Sequence, residues 1–165
     1  MGLNYAVEEV KENTAKAYGR DLDISTKNSI EICNTLRGLK LQRAKTVLQE
    51  VIDKKTAIEM KRFNRDTAHK VGIAAGKYPI NAAKKILKLL ESAESNALNK
   101  GLNTQNMEIE HISANKASRP YRYGRHRGRK AKRTHIQVIL LEKEKKKTED
   151  KKKAKKKVNK KGTKK

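Results

Sequence analysis

The 165-residue sequence contains no tryptophan, one phenylalanine, one cysteine and two prolines. Because Cys33 is alone, the chain cannot form an internal disulfide or a paired-thiol metal or redox site, and this suits a reducing compartment. No apolar run approaches the ~18–20 residues of a membrane helix, and the start, MGLNYAVEEV, lacks the basic-then-apolar order of a signal peptide. We therefore expect a soluble intracellular protein that does not associate with a membrane.

Acidic residues are also scarce. The chain has 18 Asp and Glu and 42 Lys and Arg, so its formal net charge is +24. Two segments carry most of this charge. The finger, which we define as Arg119–Arg133, has eight basic residues and no acidic one, and the tail from Glu142 to Lys165 has fourteen Lys against four acids. A charge so far beyond what solubility requires is typical of a protein that binds a polyanion.

The rest of the chain has a globular composition and is long enough for one domain but not for two independent cores. We expect a single α+β domain over residues 1–145 and a disordered tail over residues 146–165. The tail is a low-complexity run of Lys with no hydrophobic face, which favours diffuse attraction to phosphates. A nuclear targeting signal is the alternative interpretation of the tail.

Apolar residues that recur every three or four positions predict three helices, over residues 27–37, 39–55 and 80–98. Ser25 and Thr26 are candidate N-caps of the first helix. Gly38 and Gly101 are candidate terminators of the first and third helices. Between the second and third helices, residues 61–79 lose this periodicity and are rich in Gly, which predicts an irregular basic connection.

Three segments have the composition of strands. Residues 15–24 predict an edge strand, Met107–His111 alternate apolar with polar residues, and Ile136–Leu141 form a short apolar run suited to a covered sheet. The last two segments bracket the finger and should pair antiparallel, so that residues 107–141 form a long protruding basic hairpin reaching about 30 Å beyond the core. A two-stranded ribbon without an apolar face is unstable in water, and we expect the finger to be mobile until it is bound.

The finger has the composition of a nucleic-acid contact. Planar guanidinium groups suit bidentate phosphate contacts and stacking on unpaired bases, and the interleaved Tyr and His side chains add stacking surfaces. The alternative is a solvated charge run that only keeps the hairpin soluble, although eight like charges would then repel one another. The candidate RNA-binding residues are Lys116, Arg119, Arg122, Arg125, Arg127, Arg129, Lys130, Lys132 and Arg133.

No group of residues has the spacing of a catalytic or metal site. The four His residues are scattered, so no pair has metal-ligand spacing and no metal or other cofactor is expected. The acidic residues show no pairing beyond that of helix surfaces, and no nucleophile stands beside a base. We therefore predict that the protein is not an enzyme, and that Cys33 is a small buried apolar residue.

Five segments occur in the order of one known family: Tyr18–Ser25, Asn64–Lys70, Gly76–Leu102, Glu110–Ala117 and Thr134–Leu140. Together they resemble the universal large-subunit ribosomal protein family called L-twenty-two in bacteria and L-seventeen in eukaryotes, in its archaeal and eukaryotic form. The resemblance covers roughly residues 14–143. It implies three helices packed on a small antiparallel sheet, with an RNA-binding body on the outer face of the large subunit near the peptide exit.

The resemblance also implies that the hairpin runs inward through ribosomal RNA and lines the nascent-peptide tunnel. Ser113–Ala117 and Thr134–His135 would form its shafts, and Arg119–Lys132 its extension and tip. The segment between Ala117 and His135 is several residues shorter than expected for that branch of the family, so the tip either stops short of the tunnel wall or presents other side chains there. The residues implied to lie nearest the tunnel are Tyr121, Tyr123, Arg125, His126 and Arg127.

The favoured function is structural: the finger and the cationic faces of the body bridge RNA segments, and the RNA orders the finger. The expected partners are large-subunit ribosomal RNA, neighbouring ribosomal proteins and the nascent peptide at the tip, in the cytoplasm on the ribosome. No homo-oligomer is expected, since no apolar stripe is assigned to self-association.

Two other classes of protein are weighed against this one. An architectural DNA-binding protein can also carry a basic β-ribbon arm, but it needs an apolar wedge or Pro at the arm tip, whereas Pro120 lies at the base of the finger. A protein that binds anionic membranes needs a basic amphipathic helix with bulky aromatic residues, and the chain has one Phe and no Trp.

Overall fold

The computed structural model of the protein describes residues 5–7 and 13–143, so the predicted tail, 146–165, lies outside the described residues. Two single turns of 3-10 helix, Thr104–Asn106 and Gly124–His126, accompany the regular elements. In chain order these elements are β1 (Thr14–Leu22), α1 (Thr26–Leu36), α2 (Leu41–Ile52), β2 (Ile58–Glu59), β3 (His69–Lys70), β4 (Ile73–Lys77), α3 (Ile80–Asn99), β5 (Met107–Lys116) and β6 (Thr134–Glu142).

β6 is the central strand of the main sheet, which has the order β1-β6-β5 with both pairs antiparallel. β5 and β6, the strands predicted to bracket the finger, pair with each other, and Ile112 lies opposite Val138. Residues 136–140 are all buried. The helices cover one face of the strand, and on the other face the N–H of Ala6 donates to Oε1 of Gln137 (2.9 Å). A strand covered on both faces explains the nearly continuous apolar run in the sequence.

The three helices pack on the sheet and build one hydrophobic core. Their ends lie within three residues of the predicted limits, and the predicted class, α+β with three helices on a small antiparallel sheet, is confirmed. Among the described residues, no helix is both long and apolar enough to cross a bilayer. The core includes Ile32, Leu36, Leu48, Ile86, Leu90, Ile109, Ile112 and Val138, all of them fully or almost fully buried.

The helix ends follow the capping signals in part. Ser25 occupies the N-cap position of α1, but its side chain makes no capping hydrogen bond. Gly38 and Gly101 end α1 and α3 with φ of +77° and +74°, a region that glycine adopts without a steric penalty. At the end of α3 the N–H of Leu102 donates to the carbonyl of Ala97 (3.0 Å). This hydrogen bond is the one in a Schellman motif that spans more residues of the chain.

The prediction of an irregular connection holds for residues 61–68, which contain no helix or strand, but it was wrong for residues 69–77. The segment contains β3 and β4, which form with β2 a second antiparallel sheet of order β2-β4-β3. The N–H of Met60 donates to the carbonyl of Ala75 (2.8 Å), and Ile58 and Met60 are buried. β3 has only two residues and β4, IAAGK, does not alternate apolar with polar residues, so the sequence pattern gives no strand signal here. The strands form because β4 pairs with β3 beside it and with β2.

The main-sheet strands were predicted in place, but β5 and β6 were predicted too short. The strand expected over residues 136–141 is β6, which begins at Thr134 and ends at Glu142. The edge strand expected over residues 15–24 is β1. The strand expected over residues 107–111 continues to Lys116, since Ile112 is buried and Ala114 packs against the core. The ladder between β5 and β6 therefore extends to the residues next to the finger.

Candidate nucleic-acid interface

The finger extends the β5–β6 hairpin beyond its last regular pair, Lys116 and Thr134. Its two arms remain joined by backbone hydrogen bonds, and the N–H of Arg122 donates to the carbonyl of Arg129 (2.8 Å). One turn of 3-10 helix closes the tip at Gly124, which has φ of +61°. The finger is therefore a narrow ribbon that reverses at a single glycine-dependent turn.

The finger is open to solvent along most of its length. Every residue from Ser118 to Lys130 is exposed. Tyr123 is 93% exposed and Tyr121 is 59% exposed, and Nζ of Lys130 lies 4.7 Å from the centroid of the Tyr121 ring. Both rings thus present a face on which an unpaired base could stack.

The base of the finger is attached firmly to the body. The buried hydroxyl of Thr134 donates to the carbonyl of Ile24 (3.0 Å) and shares a hydrogen bond with the hydroxyl of Thr26 (2.9 Å). Arg133 donates from Nη1 to the carbonyl of Asp21 (2.9 Å). These bonds join the start of β6 and the residue before it to the end of β1, the start of α1 and the segment between them, and so fix the direction in which the finger leaves the body.

An open cleft of about 690 Å³ lies between the finger and the end of β1. Of the described residues that line it, Asp23 is the only acidic one. The pKa of Asp23 lies below its ordinary value, mainly because Lys85 donates a hydrogen bond to the carboxylate, with Nζ 3.2 Å from Oδ1; the charge of Arg133 acts in the same direction. The finger side of the cleft includes Tyr121, Arg122, Tyr123, His126 and Lys130.

A second cleft, of about 480 Å³, opens beside the N-terminus of α1. It combines body residues that the sequence analysis did not single out, Lys27 and Phe63, with residues at the base of the finger. The signal available in the sequence was the only phenylalanine of the chain, next to Arg62 in a basic segment.

The structure divides the predicted RNA-binding residues among three places. None of their side chains forms an ion pair with a carboxylate of the described residues. Lys116, Arg119, Lys132 and Arg133 line the smaller cleft; Arg122, Lys130, Lys132 and Arg133 line the larger one; Arg125, Arg127 and Arg129 lie at or beside the tip and line neither.

In the part of the chain that the structure describes, no group of three or more His, Cys, Asp or Glu side chains could hold a metal ion. Pro120 lies away from the tip, where its carbonyl accepts from the N–H of Ala131 (2.8 Å), so it is not placed as the wedge of a DNA-bending arm.

Comparison with known proteins agrees with the fold and the charge. A family model described as ribosomal protein L22p/L17e matches residues 17–141. The large ribosomal subunit protein uL22 of Methanococcus aeolicus is 42% identical over 148 residues, covering 85% of this chain and 97% of the relative. The proteins of the same name from Methanosphaera stadtmanae (42% over 139 residues, covering 79% and 90%) and Methanocaldococcus jannaschii (41% over 148 residues, covering 85% and 95%) are similar too. The chain therefore belongs to the ribosomal protein L22p/L17e family.

Proposed function

We propose that the protein is a structural component of the large ribosomal subunit in the cytoplasm, where it binds ribosomal RNA and lies among other ribosomal proteins. The observation that carries this proposal is the family match over residues 17–141. Relatives that are 42% identical over most of the chain are named large ribosomal subunit protein uL22. The family is a structural one, which agrees with the prediction that the protein is not an enzyme.

The finger is the main RNA contact in this proposal. Its eight cations face solvent or open clefts and are not neutralised by described carboxylates. Each cation that neutralises a phosphate releases condensed counter-ions, which gives favourable free energy at low salt and makes binding strongly dependent on salt. The guanidinium groups of Arg122, Arg125, Arg127 and Arg129 can in addition make two parallel hydrogen bonds to one phosphate.

A finer part of the proposal concerns the tip. We infer that the tip, with Tyr123 and the turn at Gly124–His126, lies along the nascent-peptide tunnel, within reach of the emerging chain. The inference is supported by the family resemblance and by the exposure of the rings of Tyr121 and Tyr123. The segment between Ala117 and His135 is shorter than expected for the family, so the test must also distinguish a second position, in which the tip ends in RNA behind the tunnel wall.

Charge reversal in the finger tests the RNA contact. With Arg122, Arg125, Arg127 and Arg129 all changed to Glu, we expect the protein to be absent from large subunits purified on a density gradient, because four attractive contacts become repulsive. Circular dichroism should show unchanged helicity, since all three helices lie outside the finger. Normal incorporation of this variant would refute the RNA-embedded finger.

A matched variant separates charge from geometry. The same four positions changed from Arg to Lys keep the charge but lose the planar fork. We expect the Lys variant to enter the large subunit and to bind its RNA with a similar salt dependence but lower affinity. If the Lys variant were excluded as completely as the Glu variant, neutralisation of phosphate would not be what holds the finger.

Cross-linking from Tyr123 tests the position of the tip. A photoreactive residue at this position in native particles should attach both to large-subunit RNA and to nascent chains. Attachment to RNA alone would place the tip behind the tunnel wall. Attachment to genomic DNA would overturn the ribosomal proposal in favour of an architectural DNA-binding protein.

A further inference from the structure

The smaller cleft, beside the N-terminus of α1, has a composition that the finger alone does not provide. The half-buried Phe63 lines it together with five cations, Lys27, Lys116, Arg119, Lys132 and Arg133, and with no acidic residue of the part of the chain that the structure describes. The volume of about 480 Å³ is in the range of sites that hold a small organic group. An aromatic face surrounded by unpaired positive charge is the usual composition of a site for one base and its phosphates.

A buried carboxylate fixes the position of the aromatic ring. Glu31 of α1 is 1% exposed, and its Oε1 accepts hydrogen bonds from the N–H groups of Arg62 (2.7 Å) and Phe63 (3.1 Å). These bonds attach the segment that carries Phe63 to a core helix. The ring is therefore presented by the body of the protein and not by a free loop.

The cations around the ring remain available to a ligand. Nζ of Lys27 and Cζ of Arg62 lie 5.6 Å and 5.7 Å from the centroid of the Phe63 ring, both near the outer limit for a cation–π contact. Among the described residues, none of the five lining cations forms an ion pair. Arg133 uses one nitrogen to bond the carbonyl of Asp21 and keeps its other donors.

We propose that this cleft binds one unpaired nucleotide of ribosomal RNA, with its base stacked on Phe63 and the flanking phosphates held by Lys27, Lys116 and Arg119. This inference rests on the proposed function and assigns an RNA contact, distinct from the tip of the finger, to Phe63 and Lys27 of the body together with cations at the base of the finger. The nucleotide must be unpaired, since a base inside a duplex cannot turn its face to a side chain. Five lining cations and no acid favour a polyanion over a protein segment.

Substitution of the ring tests the stacking. Phe63→Leu keeps an apolar side chain of similar size but removes the aromatic face, and Phe63→Tyr keeps the face as a matched control. In filter binding of the full-length protein to a large-subunit RNA transcript, Phe63→Leu should lose about tenfold in affinity with an unchanged salt slope. Phe63→Tyr should bind like the wild type, whereas Lys27→Gln should reduce the salt slope by about 1.

The outcomes distinguish this inference from the proposed function. Wild-type affinity in Phe63→Leu would overturn the nucleotide site, and so would equal losses in the Leu and Tyr variants. In either case the finger test above would still decide the ribosomal proposal. Thermal unfolding of each free variant shows whether the body is intact.

A second measurement covers the possibility that Phe63→Leu does not fold. Large subunits are assembled with p-benzoylphenylalanine, which retains a ring, in place of Phe63. Attachment to a single unpaired RNA nucleotide supports the site. Attachment to a neighbouring protein, or no attachment in particles that contain the protein, overturns it.

Discussion

Removal of the Glu31 carboxylate should destabilise the protein and loosen one segment in particular. Glu31→Ala leaves the N–H groups of Arg62 and Phe63 without the acceptor that they share at 2.7 Å and 3.1 Å. The site is buried, so water replaces the carboxylate poorly. The other contacts of α1 with the core are unchanged, since Ile32 and Leu36 lie in the core cluster and are not altered.

The magnitude follows from the two hydrogen bonds. A hydrogen bond to a charged group contributes about 1.5–3 kcal/mol, and an unsatisfied buried donor costs about 1–3 kcal/mol, but contributions that share one acceptor atom are not additive. Partial hydration of the freed N–H groups offsets some of the loss, since Arg62 is exposed and Phe63 only half-buried. We expect Glu31→Ala to lower the free energy of unfolding by about 2–3 kcal/mol, or about 5–10 °C in Tm.

Two variants separate the contribution of the hydrogen bonds from other effects. Glu31→Gln retains an oxygen that can accept both bonds, and it removes the cost of burying a charge, so its loss should stay within about 1 kcal/mol. Glu91→Ala removes an exposed glutamate of α3 and should change stability by less than about 0.5 kcal/mol.

Urea unfolding followed by circular dichroism measures the global effect, and hydrogen exchange measures the local one. In Glu31→Ala the amides of Arg62 and Phe63 should exchange much faster, and by more than the global loss alone explains. The reasoning is refuted if Glu31→Ala unfolds at the same urea concentration as Glu91→Ala and these two amides keep their wild-type exchange rates.

Three other outcomes are expected. Burial raises the pKa of the Cys33 thiol to about 12, so at pH 8 the native protein should react with iodoacetamide at least about a thousandfold more slowly than a free thiol, and urea should abolish the difference; rapid alkylation without urea would contradict the buried placement. Gly101→Ala should cost about 1–2 kcal/mol, since φ is +74° there, whereas Gly128→Ala, in open space and without a positive φ, should be neutral by thermal unfolding. Deletion of residues 146–165 should reduce RNA affinity only at low and moderate salt, measured by filter binding across a salt series; a block in subunit assembly would show a specific role for the tail.

The sequence predicted most of what local periodicity determines. α3 was predicted over residues 80–98 and spans Ile80–Asn99, because its apolar positions repeat through five turns and its end is marked by Gly101. β6 was predicted from its apolar run, since a central strand covered on both faces needs no polar alternation. The charge pattern likewise identified the finger as the segment without a core of its own.

Features that depend on distant pairing were not predictable in this way. β3 has only two residues and β4, IAAGK, does not alternate apolar with polar residues, while β4 also pairs with β2, which lies before the whole segment. The nucleotide site that we propose joins Phe63 to Glu31, 32 residues earlier, and to finger residues more than 50 positions later. A lone aromatic residue in a basic segment gave no indication of either partner, since nothing in its neighbours specifies a buried carboxylate on another helix.

The junction at Thr134 explains how a charged ribbon can be part of a stable protein. On the body side of this residue the strand is buried, and its hydroxyl is bonded to Ile24 and Thr26; beyond it, residues 118–130 are exposed. The body therefore needs no RNA in order to fix the direction of the finger. The conformational entropy lost on binding therefore comes only from the finger residues that become immobilised when they contact RNA. A basic segment attached at one end by a free linker would have to be oriented as well as ordered, so the buried junction lowers the cost of placing the finger in RNA.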